Sequence, residues 1–265
     1  MEPMPTIFVS HGGPNVVTDP SEARDYLRGL SDRLPRPEAI VIASAHFETD
    51  GPTVVRDPNP GMIYDFGGFA PELYEMVYPA PGHPALASRV HGLVDAAGLA
   101  PRYADERGYD HGAWTVLKLA WPDADIPVVL VSIDPKRDAA YHHALGAALA
   151  PLRDEGVLLM GSGHITHNLR ALFGVMRDGM PSDPAMAEKV EAFVEWIGDA
   201  IGTGDTTALL AWRDRAPFVA DNHPTDEHLM PLFFAAGAAG NGAQAEHAHA
   251  SRQFGFFAWD SWIFR

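Results

Sequence analysis

Four apolar, β-branched runs punctuate the chain: Thr6 to Ser10, Ala39 to Ala43, Pro127 to Ile133 and Val157 to Met160. None alternates with polar residues, so the pattern predicts strands covered on both faces, as in a parallel sheet sandwiched by helices. Between and after these runs, apolar positions recur at helical spacing. They predict helices over Pro20 to Leu34, Pro84 to Ala97, Ala113 to Ala120, Asp138 to Leu152, Asp183 to Ile201 and Asp226 to Ala236. Short buried strands alternating with helices predict an α/β fold: one domain, a mostly parallel central sheet flanked by helices, and a ligand crevice at the carboxyl ends of the strands. No internal repeat or polar linker interrupts the sequence, which predicts a single domain over residues 1–265.

The 23 Pro and 25 Gly gather in connections such as Asp57 to Gly61, Tyr78 to Pro84 and Trp121 to Pro127, which predicts ordered loops of the kind that carry function on such scaffolds. The small, polar stretch from Gly237 to Ala250 reads as the most mobile internal segment. Beyond it, Phe254 to Arg265 places six aromatics on both strand parities. That tail reads as a strand buried on both faces.

Composition narrows the chemistry. With 46% hydrophobic residues the chain can build a core, which excludes disorder as its main character. It has no cysteine, so disulfides, thiolate nucleophiles, Cys-ligated zinc and iron–sulfur clusters are excluded together. Any metal must rest on His, Asp or Glu. The net charge of −16, with no basic run, argues against nucleic acid or an anionic membrane as partner. The start, Met-Glu-Pro-Met-Pro, lacks the basic and apolar regions of a signal peptide, and no apolar run approaches the ~18 to 20 residues of a membrane span. A soluble, cytoplasmic protein is expected.

The positions of the histidines carry most of the functional information. His11 directly follows the first strand, His46 follows the second, and His164 and His167 follow the last in Gly-Ser-Gly-His-Ile-Thr-His-Asn. The carboxyl ends of parallel strands line the ligand crevice, so three segments would deliver imidazoles to one edge. His111, in Gly-Tyr-Asp-His-Gly-Ala-Trp, and His228, in Pro-Thr-Asp-Glu-His-Leu-Met-Pro, sit at apparent helix starts. A mononuclear, His-rich metal site with open positions is the chemistry this arrangement favours.

Rival motifs fail for want of their companions. Asp65-Phe66-Gly67 has no kinase catalytic loop beside it, and His11-Gly12-Gly13 has no Gly-x-Ser-x-Gly nucleophile elbow. Gly161-Ser162-Gly163 lacks the later Gly and Lys of a phosphate-cradling loop. The zincin pattern His-Glu-x-x-His is absent as well.

Taken in order, Ser10-His11-Gly-Gly-Pro, Ser44-Ala-His46-Phe, Tyr64-Asp-Phe-Gly-Gly-Phe69, Tyr78-Pro-Ala-Pro-Gly82, Tyr109-Asp-His111-Gly-Ala-Trp, Asp123-Ala-Asp-Ile-Pro127, Ser162-Gly-x-x-x-His167-Asn-Leu-Arg170 and Pro224-Thr-x-Glu227-His228 resemble the 4,5-DOPA extradiol dioxygenase group. That group belongs to the LigB-like class III extradiol ring-cleavage dioxygenases. The resemblance runs from about residue 5 to residue 236. It implies a LigB-like catalytic domain that opens the ring of a catechol, DOPA-like substrate with O2. It further implies a metal held by His11, His46 and His228, with His167 as a further ligand in some members.

The same resemblance implies that His167 is the acid–base residue and that His111 contacts substrate or oxygen. His164 matches no family histidine and reads as exposed or as an indirect neighbour of the site. Better-known class III enzymes use two His and a Glu, and here Glu227 adjoins His228; neighbours on a helix point about 100° apart and cannot easily share one metal face. His228 is the expected ligand. A third neutral ligand leaves the site one positive charge higher, which tilts it towards Zn(II) as isolated, while the resemblance implies Fe(II) for activity.

Tyr109, Trp114, Phe66 and Phe69 are candidate walls for an aromatic ring, and Asp65 or Asp110 a candidate orienter of a ligand imidazole. The charge of −16 disfavours anionic catechols at long range unless a local cation such as Arg170 offsets it. The sequence leaves two alternatives: a zinc-dependent hydrolase using the same His cluster to activate water, and a noncatalytic metal-binding protein.

Overall fold

A computed structural model describes residues 2–179, 183–240 and 242–265 of the chain. Its strands are β1 (Thr6–Ser10), β2 (Ala39–Glu48), β3 (Thr53–Val55), β4 (Arg102–Ala104), β5 (Val128–Ile133), β6 (Val157–Gly163), β7 (Ala245–His249), β8 (Arg252–Gln253), β9 (Phe257–Ala258) and β10 (Ser261–Phe264). All but β8 and β9 join one sheet in the order β4-β3-β5-β2-β6-β1-β10-β7. The centre of this sheet is parallel: β2 pairs with β5 and β6, and β6 with β1. At one end β3 turns antiparallel to β5 but runs parallel to β4. At the other end β10 and β7 close the sheet as antiparallel neighbours of β1.

The helices are α1 (Glu22–Arg28), α2 (Leu30–Arg33), α3 (Pro84–Ala96), α4 (His111–Ala120), α5 (Ala139–Leu149), α6 (Leu169–Asp178), α7 (Met186–Gly202), α8 (Thr206–Leu210), α9 (Trp212–Arg215), α10 (Val219–Asn222) and α11 (Met230–Ala239). None of them is long and apolar enough to cross a membrane. Alternate residues of the central strands face two separate cores. Ile40, Ile42, Val128, Leu130, Leu158 and Met160 pack on the side of α1, α4 and α7. Val41, Ala43, Val129, Val131, Val157 and Leu159 pack on the side of α3, α5 and α11. Two cores explain why these strands read as unbroken apolar runs: neither parity meets water.

The strands extend beyond their apolar runs because polar residues finish them. β2 continues past Ala43 to Glu48 and β6 past Met160 to Gly163, carrying Ser44, His46 and Ser162 to the rim. Gly163 permits a close approach there, since a Cβ on it would lie 2.1 Å from the carbonyl oxygen of His228. The His164 amide donates to that same oxygen at 2.8 Å. The loop leading into α11 is thereby fixed against the end of β6.

Several expectations are corrected. The stretch Gly237 to Ala250, read as mobile, finishes α11 and then forms β7, whose polar residues suit an exposed sheet edge; Asn241 lies outside the described residues. The aromatic tail yields β9 and β10, and β10 is buried throughout. The first long helix breaks at Gly29 into α1 and α2. The fourth ends at Leu149, where Pro151 leaves only a 3-10 turn over Ala150–Glu155. The last two start later than expected, at Met186 and Met230; in α11, Pro231 occupies the first turn. Unforeseen was α6, capped by Asn168, whose side-chain oxygen accepts from the Ala171 amide at 3.0 Å. Leu169, Leu172, Phe173 and Met176 recur at helical spacing, so the helix was legible, although Leu169, Phe173 and Met176 end exposed.

Candidate metal centre

Three imidazoles meet at the rim of the sheet: His11 just after β1, His46 near the end of β2, and His228 in the loop before α11. The groups that their Nδ1 atoms face fix their tautomers. The Ser162 hydroxyl donates to the Gly112 carbonyl at 2.5 Å, so it must accept from His11 Nδ1 at 3.0 Å. His228 Nδ1 donates to Glu227 Oε1 at 3.0 Å, and His46 Nδ1 stands 3.3 Å from Asp65 Oδ2, a contact that attracts only a protonated ring nitrogen. Every ring therefore spends its proton on Nδ1 and keeps a lone pair on Nε2.

These three lone pairs face one another. His46 Nε2 is 3.1 Å from His11 Nε2 and 3.3 Å from His228 Nε2. Two nitrogens each about 2.0–2.1 Å from one tetrahedral ion sit about 3.3 Å apart. Acceptors so close together, with no proton to share, repel unless a cation lies among them. An all-imidazole donor set suits a first-row divalent metal, and the residues fit one. Burial, then the repulsion of neighbouring imidazoles, holds His11 and His228 well below the ordinary histidine pKa. Burial and His111 push His46 down to about 3, against the opposing pull of Asp65. Neutral rings await a metal without a proton to displace.

His167, expected among the ligands, stands outside this triad. Its ring stacks on His228 with centroids 3.3 Å apart, and its Nδ1 lies 3.6 Å from Glu227 Oε1. Its possible ligand atom groups with those of Glu227 and His228 instead. His111 opens α4, and both its Nδ1 and its backbone amide donate to Asp65 Oδ1, at 2.9 and 3.0 Å. Burial raises the Asp65 pKa, yet the hydrogen bonds and charge of His111 prevail and bring it to about 2. Glu227 likewise is pushed up by burial but held well below the carboxylate range by His167 and His228.

Of the two aspartates expected to orient a ligand, Asp65 and not Asp110 touches an imidazole of the triad. Asp110 is buried as the cap of α4, accepting from the Ala113 amide at 3.2 Å and the Ser44 hydroxyl at 2.6 Å, with Arg107 2.9 Å away. Arg107 in turn lies over Phe47 at 3.9 Å and donates to the His46 carbonyl at 3.2 Å. This brace holds β2 and the start of α4 together. Gly112 makes the contact possible, because a Cβ there would come within 2.6 Å of Ser44 Oγ and 3.0 Å of carbons in both His11 and His46.

The remaining candidates separate clearly. Phe66 meets His111 edge-on at 5.8 Å and Phe69 at 5.6 Å. Tyr109 and Trp114 are fully buried core residues, and the Tyr109 hydroxyl donates to the Ala80 carbonyl at 3.1 Å. His164 is not exposed; its ring is buried against Phe257 and Trp259, and neither ring nitrogen has a hydrogen-bond partner among the described residues. Arg170 is exposed on the first turn of α6. Ser162 and Arg107 were not foreseen, although a polar residue at the end of a buried strand is a legible signal for the first. A cleft of about 380 Å³ between α7 and the β7 edge contains none of these histidines.

The model of the catalytic LigB subunit of aromatic ring-opening dioxygenases matches residues 5–259. The chain belongs to the LigB family. Among LigB-related proteins, the 4,5-DOPA dioxygenase extradiol of Beta vulgaris is 39% identical over 98% of this chain and 96% of its own length. The protein of the same name from Escherichia coli K12 is 41% identical over 89% of this chain and 85% of its own. The crystal structure of an uncharacterized Escherichia coli K12 protein matches with a TM-score of 0.79 and 33% identity, covering 98% of this chain and 99% of that one. This LigB chain is accordingly a metal-dependent oxidoreductase of the extradiol ring-opening type. The hydrolase alternative is not favoured.

Proposed function

We propose that residues 1–265 form one catalytic domain that cleaves a catechol such as DOPA beside its diol, with His11, His46 and His228 holding iron(II). Zinc is the metal expected in protein as isolated. The observation that carries the reading is the convergence of three Nε2 lone pairs at 3.1 and 3.3 Å. A metal bound there supplies Lewis acidity toward the diol and a common meeting point for diol and dioxygen.

The chain's own residues do the rest. His167 Nδ1 faces Glu227, so Nε2 is the nitrogen left to take a hydroxyl proton from the catechol and return it later. His111 commits its Nδ1 proton to Asp65, which leaves Nε2 for contact with substrate or dioxygen. Phe66, edge-on to His111, shields that side from water and offers a face to an aromatic ring. Both atoms of O2 enter the product, so the reaction balances without a reductant. We assign His167 as the base and not a fourth ligand, because its ring groups with Glu227 and stacks on His228.

Iron(II)-loaded protein given DOPA in air should form a yellow ring-opened semialdehyde. No such product from any member of a catechol panel, with iron demonstrably bound, overturns the proposal.

A further inference from the structure

Two carboxylates beside the triad share an arrangement. Asp65 accepts a hydrogen bond from His111 Nδ1 on one oxygen at 2.9 Å and faces His46 Nδ1 with the other at 3.3 Å. Glu227 receives His228 Nδ1 at 3.0 Å, and His167 Nδ1 stands 3.6 Å from that same oxygen. The stacking of the two rings at 13° brings both nitrogens to it from one side, and the Thr225 hydroxyl donates to it as well at 3.0 Å. In each case one imidazole belongs to the triad and the other does not.

Each trio has the residue types of a metal site in its own right. Electrostatics says otherwise: a ring nitrogen that faces an ionised carboxylate is attracted to it only as Nδ1–H, which has no lone pair to give.

We propose that Asp65 and Glu227 are positioning residues that each fix two imidazoles at once, one that holds the metal and one that meets the substrate. This rests on the site reading given above. Asp65 ties the orientation of His46 to that of His111, and Glu227 ties His228 to His167. An ionised carboxylate can only accept, so it compels the Nδ1–H form in both of its rings, and both then present Nε2. An amide in its place offers one accepting oxygen and two N–H donors. At Asp65, whose two oxygens each face one ring, an amide turns an N–H toward one of them; at Glu227, where two rings and the Thr225 hydroxyl crowd on one oxygen, a neutral amide oxygen holds them more weakly.

The test uses the full chain labelled with nitrogen-15 histidine and loaded with zinc, read by ring-nitrogen NMR, which distinguishes the two tautomers. Asp65→Asn should shift the ring signals of His46 and His111 together and leave His167 and His228 in place. Glu227→Gln should do the converse, and Ser162→Ala should move His11 alone. Zinc affinity, measured by chelator competition, should fall about 10–100-fold in either amide variant. With iron(II) saturating, turnover should remain depressed, because the second ring of each pair is misplaced too. If each amide variant moves only its triad ring, or if excess metal restores full turnover, the shared role is refuted. Should Asp65→Asn fail to fold, Glu227→Gln decides the matter by the same criteria. The NMR result is independent of ring cleavage, so an inactive protein with paired shifts would contradict the proposed function and not this inference.

Discussion

His11 Nε2 and His46 Nε2 lie 3.1 Å apart, while the Nδ1 atoms of the same rings are turned to the Ser162 hydroxyl and the Asp65 carboxylate. Two lone pairs at this distance are stable only around a cation. His11→Ala, His46→Ala and His228→Ala should therefore each lose metal more completely than the about 10–100-fold expected on removing an indirect partner. His111→Ala and His167→Ala should keep it and lose turnover. Elemental analysis after dialysis, paired with activity assays, separates the two sets; equal metal content in all five would refute the assignment.

Gly112 should tolerate no side chain. In Gly112→Ala the methyl would press on Ser44, His11 and His46 together. Overpacking of this kind costs about 1–3 kcal/mol, and here it falls on the rings that face the metal. Both the melting temperature and the metal affinity should drop, as thermal melts and metal titration would register. Wild-type affinity in this variant would contradict the close packing of α4 on the site.

Stability should decline on mild acidification through a residue outside the triad. His223 is fully buried, its Nε2 donates to the Ile165 carbonyl at 2.8 Å, and burial pushes its pKa down to about 4. Between pH 6.5 and 4 the unfolded chain binds a proton that the folded chain refuses. The stabilisation is thus complete above pH 6.5 and is lost as pH falls toward 4, by up to about 3 kcal/mol. Urea unfolding of metal-free protein across this range should show the slope, and His223→Gln should reduce it by this residue's share, the other buried histidines keeping theirs. An unchanged slope would assign the acid sensitivity to other groups.

The parts of the fold that the sequence disclosed are those where one physical term dominates. β1 and β6 are buried on both faces, so hydrophobicity alone marks them. β3 and β4 are short pieces at the sheet's edge, and β7 is polar because one side of it meets water. Their place is decided by pairing partners distant in sequence, which no local window contains. The triad was legible for a similar reason: His11 and His46 follow strands, and strand order delivers them to one rim. What the sequence could not give is how Asp65 and Glu227 are divided between imidazoles. Residues 65 and 111, or 46 and 228, become neighbours only once α4 and the loop before α11 are packed on the sheet. The relation between Glu227 and His228 is of this kind: in the structure the carboxylate accepts from the imidazole beside it.

Oxygen uptake tests the central claim most directly. Protein loaded anaerobically with iron(II), then mixed with DOPA in a sealed oxygen electrode, should consume one O2 for each catechol, release no hydrogen peroxide and accumulate the ring-opened product. Catechol loss without oxygen uptake would contradict the account, as would uptake that ends in peroxide and a quinone with the ring intact.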